Sequence, residues 1–427
     1  MVENQSIILN EVQQNALDLI ARGENNVLIL GSAGTGKSTF IKYLKTALGK
    51  KIICACPTAV SALNVGGQTV HSLFQIAPRD FIMPEFLKLK AKPRNALNDA
   101  ELLVIDEVSM VSPDLLDAMD ILCRQARKNN NPFGGLRVLA IGDLFQLPPV
   151  ITRAAEPYYE AEYGNRRAYF FDSNVYKRSG FIKLSFDYVY RQSDDELLRH
   201  LTELRQTSLE TALPFFNSLR IEDDARRANA VLITPFRNVA DNINAKRLSE
   251  INAPEVTYTG KISGNFSDRD LPSPEVLTLK IGALVVFTKN DPRGRWHNGS
   301  MGIIRELGQV IMVDMLQGRE TVEVKPELWE KIEYGRDAEN KLVENEVGSY
   351  EQFPLTLGYA MTIHKAQGKT LDAVVVDISR GAFAHGQTYV ALSRTRRAAD
   401  MHIASPLSAR DVIFDPRVVE FTMGEGV

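Results

Sequence analysis

Residues 26–48 read NVLILGSAGTGKSTFIKYLKTAL. An apolar run leads into Gly31, small residues follow, and Lys37-Ser38 opens a segment with apolar residues at helical spacing. Gly31-x4-Gly36-Lys37-Ser38 therefore reads as a strand, a phosphate-binding loop and a helix. Backbone N–H groups in such a loop point inward and bind phosphate oxygens, and the helix N-terminus reinforces them. Gly34 and Gly36 let the backbone turn sharply and approach the phosphates. Lys37 places a charge between the outer phosphates, and Ser38 offers a hydroxyl to Mg²⁺. The candidate nucleotide contacts are Gly31, Ala33, Gly34, Thr35, Gly36, Lys37, Ser38 and Thr39.

Strand-like runs alternate with helical patterns on either side of this loop. The runs are residues 26–31, 51–58, 101–107, 136–143 and 181–190. That alternation predicts an α/β fold with a parallel sheet covered on both faces. Ligands at such sheets sit at the carboxyl ends of the strands. The first four runs end in GSAGTGKS, CPT, DE and GD, so polar chemistry falls where the rule expects it. Cys54 and Cys56 lie two apart on one of these strands and read as small core residues. No second Cys/His pair stands at zinc spacing.

LLVIDE supplies the second half of a hydrolytic site. Its apolar strand delivers Asp106, to hold Mg²⁺, and Glu107, to polarise the attacking water. A glutamate base implies hydrolysis rather than switching alone. In IGDLFQLPPV, Gln146 is polar in an apolar, proline-rimmed segment and can sense a γ-phosphate. Arg191 in YVYRQ and Arg394 in YVALSRTR are candidates to stabilise charge in phosphoryl transfer, a contribution of roughly 10³–10⁵ in rate. In TIHKAQGKTL, Thr362, His364, Lys365, Gln367 and Gly368 crowd into a loop before a buried strand. That loop is too polar for a structural default.

A second α/β set begins at 229–236 and resumes at 371–379 and 400–405. Between them, residues 255–350 carry short β-rich runs broken by Gly, Asn and Asp, the pattern of a small β-barrel insert. The expected layout is a first lobe over 1–195, with an arm at 75–98, and a second lobe over 196–427 carrying the insert. The arm, with Phe81, Phe86, Lys88, Lys90 and Lys92, reads either as a surface excursion or as a segment that touches a substrate, with the two phenylalanines as candidates for a wedge.

With 427 residues, 44% hydrophobic and 24% charged, the chain suits two or three ordinary globular domains. No apolar run reaches the roughly 18–20 residues of a membrane span. The N-terminus lacks a secretory pattern, and three cysteines fit a reducing compartment, so a cytoplasmic location is expected. A net charge of −3 excludes a uniformly basic surface but not a local basic channel.

Together the motifs resemble superfamily-one DNA helicases, most closely the PIF-type (petite integration frequency) family and next the RecD-type and Dda-type helicases. LNEVQ, GSAGTGKST, PTAVSALNVGGQTVHSLF, VIDEVSMV, GDLFQLPPV, YRQ, TIHKAQGKTL and GQTYVALSRTR follow the family order over residues 9–396. GFIKLSFDYVYRQSDDELLRHLTELR resembles the family's own signature element. The resemblance implies two RecA-like lobes with an SH3-like β-barrel in the second. It also implies ATP with Mg²⁺, and 5′→3′ movement on single-stranded DNA with unwinding of forked or structured DNA. Gln13 or its neighbour Gln14 then reads adenine, Gly368 borders the nucleotide, and Arg191 and Arg394 reach ATP across the cleft. Pro57, Thr58, His71 and Phe74 in the first lobe, and Thr362, His364 and Lys365 in the second, fall beside the strand. Asn298-Gly299-x-x-Gly302 matches a β-turn of the inserted module. A monomer is expected, since one chain holds both lobes. A translocase that separates duplex poorly, and a regulatory ATPase switch, are the rival readings.

Overall fold

The structure, a computed structural model, describes residues 8–23, 25–48, 51–77, 81–84, 87–220, 229–266, 271–318, 320–336 and 342–424. In the first lobe β1 (Val27–Gly31), β2 (Ile52–Cys56), β3 (Gln68–Thr69), β4 (Leu102–Asp106), β5 (Arg137–Gly142) and β6 (Ile182–Phe186) form a parallel sheet. Their order is β3-β2-β4-β5-β1-β6. The central strands β1, β2, β4 and β5 alternate between two cores. Val27, Ile29, Cys54, Cys56 and Val104 face one side. Leu28, Leu30, Ile53, Ala55 and Ile105 face the other. On the first side pack α1 (Glu11–Arg22), α2 (Lys37–Ala47) and α3 (Ala59–Val65). On the second pack α4 (Val70–Phe74), α5 (Ala91–Asp99), α6 (Pro113–Arg127), and α8 (Asn174–Arg178), which follows α7 (Glu156–Tyr163). Two-sided burial explains why these strands read as continuous apolar runs. β6 stops at Phe186, short of the expected 181–190, because Tyr188 and Tyr190 leave the sheet half-exposed or more.

The second lobe opens with α9 (Asp195–Arg205), α10 (Leu209–Ser218), β7 (Val231–Thr234) and α11 (Arg237–Ser249). The insert follows as antiparallel sheets. β8 (Val256–Thr259) pairs with β10 (Val276–Leu279), and β9 (Lys261–Gly264) joins the hairpin β15 (Glu327–Arg336) and β16 (Leu342–Gln352). The largest sheet contains β11 (Leu284–Phe287), β12 (Met301–Glu306), β13 (Ile311–Met315), β14 (Thr321–Val324) and β17 (Leu355–Leu357). Leu277 and Leu279 of β10 share its core with Phe287, Trp296 and Val313. The lobe then closes with β18 (Ala360–Thr362), α12 (Ile363–Ala366), β19 (Val374–Val376), α13 (Gln387–Leu392) and β20 (Met401–Ile403). Its parallel sheet has the order β18-β7-β19-β20.

Two features depart from the sequence reading. The last helix, α14 (Pro416–Met423), lies within the expected second lobe of 196–427 but packs largely on the first. Val418 joins the first lobe's core, the Phe421 ring stacks on Phe171 at 4.3 Å, and Arg417 pairs with Asp172 at 2.9 Å. Val419 turns back to the second lobe. The arm at 75–98 is not a free wedge. Phe81 sits among Tyr158, Tyr159 and Tyr163, while Leu87 and Leu89 pack on the core. Phe86 and the Lys92 side chain lie outside the described residues.

Candidate nucleotide and nucleic-acid site

The phosphate loop leaves β1 at Gly31 and enters α2 through Gly36, whose φ of 81° is left-handed. Gly34, at φ 90°, leaves no room for a side chain: a Cβ there would stand 2.4 Å from Arg191 Cβ. Arg191 thus lies directly on the loop, and Tyr190 N–H donates to Gly34 O at 2.8 Å. Lys37 Nζ donates to Gly31 O at 2.9 Å and Ser32 O at 2.8 Å. Burial lowers its pKa, opposed by Asp143, Glu107 and Asp106. Ala33 and Thr35 are buried, with Thr35 Oγ1 donating to Ser32 O at 3.0 Å; Ser38 and Thr39 on the first turn of α2 are exposed.

Of the two adjacent glutamines, Gln13 faces the loop. It is buried, its Nε2 reaches Thr35 O at 3.5 Å, and its backbone and side chain complete a capping box with Asn10. Gln14 is exposed and bonds Asp18.

β4 ends at Asp106, and Glu107 follows in a left-handed conformation at φ 51°. That backbone is costly for a non-glycine residue and clusters at functional sites. Burial pushes the Asp106 carboxyl up to about 7, helped by its neighbour Glu107, and burial raises Glu107 as well. β5 separates β4 from β1, so Asp143, just past β5, stands between the two. Gln146 Nε2 donates to Asp143 Oδ2 at 3.1 Å. The amide oxygen of Gln146 is buried without a hydrogen-bond partner.

The second lobe closes the cleft. Arg394 is fully buried. Its guanidinium donates to Val390 O at 2.5 Å, to Ala366 O and Lys369 O at 3.2 Å each, and to Ser393 Oγ at 2.5 Å. It does not stretch free across the cleft: it braces the 366–369 turn of its own lobe. Burial, and then the nearby Arg191, lower it to about 9. Among the described residues no carboxylate pairs with it within salt-bridge distance, though Glu107 and Asp143 feel its charge. Gln367 lies beside Glu107, and Gly368, exposed at φ 76°, turns the chain after it.

The candidate strand contacts occupy matching places in the two lobes. Thr58 follows β2 and caps α3, its Oγ1 accepting from Ser61 N–H at 3.2 Å, with Pro57 half-buried before it. Thr362 ends β18 and caps α12, accepting from Lys365 N–H at 3.3 Å. His364 and Lys365 are exposed, and His71 is half-buried with Nδ1 3.2 Å from Ile76 O. Phe74 is a correction. It is 1% exposed within the first lobe's core, so its ring offers no face to a base.

A family profile, PIF1-like helicase, matches residues 1–203. The ATP-dependent DNA helicase Pif1 of Bdellovibrio bacteriovorus is 34% identical over 97% of this chain and 92% of its own length. The chain belongs to the PIF1-like helicase family. Unliganded Pif1 from Bacteroides sp superposes with a TM-score of 0.89 at 34% identity, over 98% of both chains. Bacteroides Pif1 bound to ssDNA gives 0.69 at 35% identity, over 97% of this chain and 96% of that one. At nearly the same identity, the layout of this PIF1-like chain is therefore nearer that of the unliganded relative.

The insert also touches the first lobe. Gln68 Nε2 donates to Ile332 O of β15 at 2.8 Å, and Leu63 of α3 packs against Phe266, Trp329 and Tyr350. Both contacts border a cavity lined by Ala59 and Ser72, the chain neighbours of Thr58 and His71. Other site residues carried weaker sequence signals. Asp143 closes an IGD strand end, which marks it as polar but not as a partner of Gln146. Tyr389, whose hydroxyl lies 3.5 Å from Ala33 N and 3.3 Å from Asp143 Oδ2, reads only as one more apolar residue of α13. Among the described residues no helix is long and apolar enough to cross a membrane.

Proposed function

We infer that this chain is an ATP-dependent DNA helicase that moves along single-stranded DNA, 5′→3′ as the family resemblance implies, and unwinds forked or structured duplex. The convergence of Lys37, Arg191 and Arg394 on one cleft with Asp106 and Glu107 carries this reading, because it draws on both lobes. The phosphate loop holds the ATP tail, and Gln13 contacts adenine. Glu107 orients and deprotonates the attacking water, Gln146 senses the γ-phosphate, and the two arginines stabilise the transferred charge.

Buried Asp106 and the Ser38 hydroxyl offer the hard oxygen donors that Mg²⁺ prefers. These two residues would hold Mg²⁺, which would supply positive charge to the outer phosphates. Pro57, Thr58, His71, Thr362, His364 and Lys365 form the strand track, one half in each lobe. Stacking on a base is worth about 1–3 kcal/mol and opening a duplex step costs about 1.4 kcal/mol. Binding alone cannot drive long unwinding, so the lobes must cycle with ATP. One copy of the chain is the functional unit, since it holds both halves of the site.

The test is ATPase rate with and without single-stranded DNA, for wild type and Glu107→Gln, followed by unwinding of duplexes with a 5′ or a 3′ tail. DNA-stimulated turnover that Glu107→Gln abolishes, with unwinding from the 5′ tail, is expected. Stimulation without unwinding makes the chain a translocase, and turnover indifferent to DNA makes it a switch.

A further inference from the structure

Asp143 belongs to the first lobe and is completely buried, at 0% exposure. Its carboxylate is the hub of a network that crosses the cleft. Oδ2 accepts from Gln146 Nε2 and from the Tyr389 hydroxyl, and Oδ1 accepts from Phe145 N–H at 3.2 Å. Tyr389 in turn lies within reach of Ala33 N–H in the phosphate loop. The cation paired with Asp143 comes from the other lobe. Arg205, the last residue of α9, places Nη2 3.6 Å from Asp143 Oδ1, and its guanidinium lies 4.6 Å over the Phe145 ring. Among the described residues Asp143 has no other ion pair.

A buried carboxylate stripped of its cation is left as an uncompensated charge, which destabilises the arrangement of groups hydrogen-bonded to it. Here those bonds aim the side chain proposed to sense the γ-phosphate. We propose that Arg205 is a positioning residue of the ATPase site: from the second lobe it fixes Asp143, and through Asp143 it sets Gln146 and Tyr389 against the phosphate loop. It touches no substrate atom. This gives α9, the charge-rich helix that opens the second lobe, an indirect part in hydrolysis. The inference rests on the helicase reading above.

The test compares Arg205→Met, Arg205→Lys, Asp143→Asn and the double variant Arg205→Met/Asp143→Asn. Steady-state kcat and KM for ATP are measured at saturating single-stranded DNA. DNA affinity is read by anisotropy and folding by thermal melting. Arg205→Met should lose about tenfold or more in kcat, with KM and DNA affinity within about threefold. Arg205→Lys should retain more, and should carry the comparison if Arg205→Met does not fold. The double variant should be no slower than Arg205→Met alone, because the two residues act as a unit. Wild-type kcat in Arg205→Met, losses that multiply in the double variant, or a loss confined to KM or DNA affinity would overturn the proposal. If wild type itself shows no DNA-stimulated turnover, the helicase reading fails instead.

Discussion

Arg394 buries a positive charge that hydrogen bonds within its own lobe and the more distant Glu107 and Asp143 offset in part, so an incoming anion gains from it. Arg394→Ala should therefore lower DNA-stimulated ATP turnover by about 10³-fold while changing DNA affinity far less. Lysine should rescue poorly, because a point charge cannot match the fork that braces the 366–369 turn. Turnover assays beside anisotropy check both. Asp106 gives a pH signature of its own. Its carboxyl rises from the ordinary range to about 7 in the folded chain, so the folded state binds more protons than the unfolded one between those values. Without nucleotide, its contribution to stability is greatest in acid and falls as pH rises toward about 7. Melting temperature against pH should show that decline, and Asp106→Asn should flatten it. Lys37, Asp106 and Glu107 were legible in the sequence because phosphate chemistry demands those residue types at those spacings. Phe74 was misread although Val70, Leu73 and Phe74 stand at i, i+3 and i+4, the spacing of a buried helical face. Arg205 was illegible, since its role appears only when two lobes meet.

Elements built from apolar runs were readable, and those built from charge were not. The eight expected α/β strands exist, most of them trimmed by one to three residues where polar chemistry begins. The long hairpin β15–β16, ELWEKIEYGR and LVENEVGSYEQ, gave no comparable signal because its alternation is broken by clustered acids. The predicted turn at Asn298-Gly299 acquired a structural purpose. Gly299, at φ 102°, lies so close to the second lobe that a Cβ would stand 2.0 Å from Thr370 O. Lys369 Nζ donates to Asn298 Oδ1 at 2.8 Å, and Met301 N–H donates to Asp372 Oδ2 at 2.8 Å. The insert thus clips the 369–372 loop that follows Thr362, His364 and Lys365. Gly299→Ala should cost about 1–3 kcal/mol of stability and weaken single-strand binding, measured by denaturant unfolding and anisotropy. Unchanged binding would separate the insert from the strand track.

At the scale of the molecule, the insert bridges to the first lobe through Gln68 and Leu63, beside one half of the proposed track. A strand entering that track must share the space with β15. Dyes placed on the insert and on α6 should therefore change separation when single-stranded DNA is added. Constant transfer efficiency would show that the strand passes without moving the insert. The relation between the lobes was the part least visible in the sequence, because motifs specify what lies in the cleft and not how far it is open.

The return of α14 to the first lobe has a mechanical consequence. The chain crosses between the lobes once after β6 and again after Phe414, so two separate strands of backbone span the gap. A single tether would leave one body free to tumble about a point. Two tethers behave as a door on a pair of pins, confining the relative motion to rotation about the line that joins them. Each opening and closing of the cleft can then retrace one path.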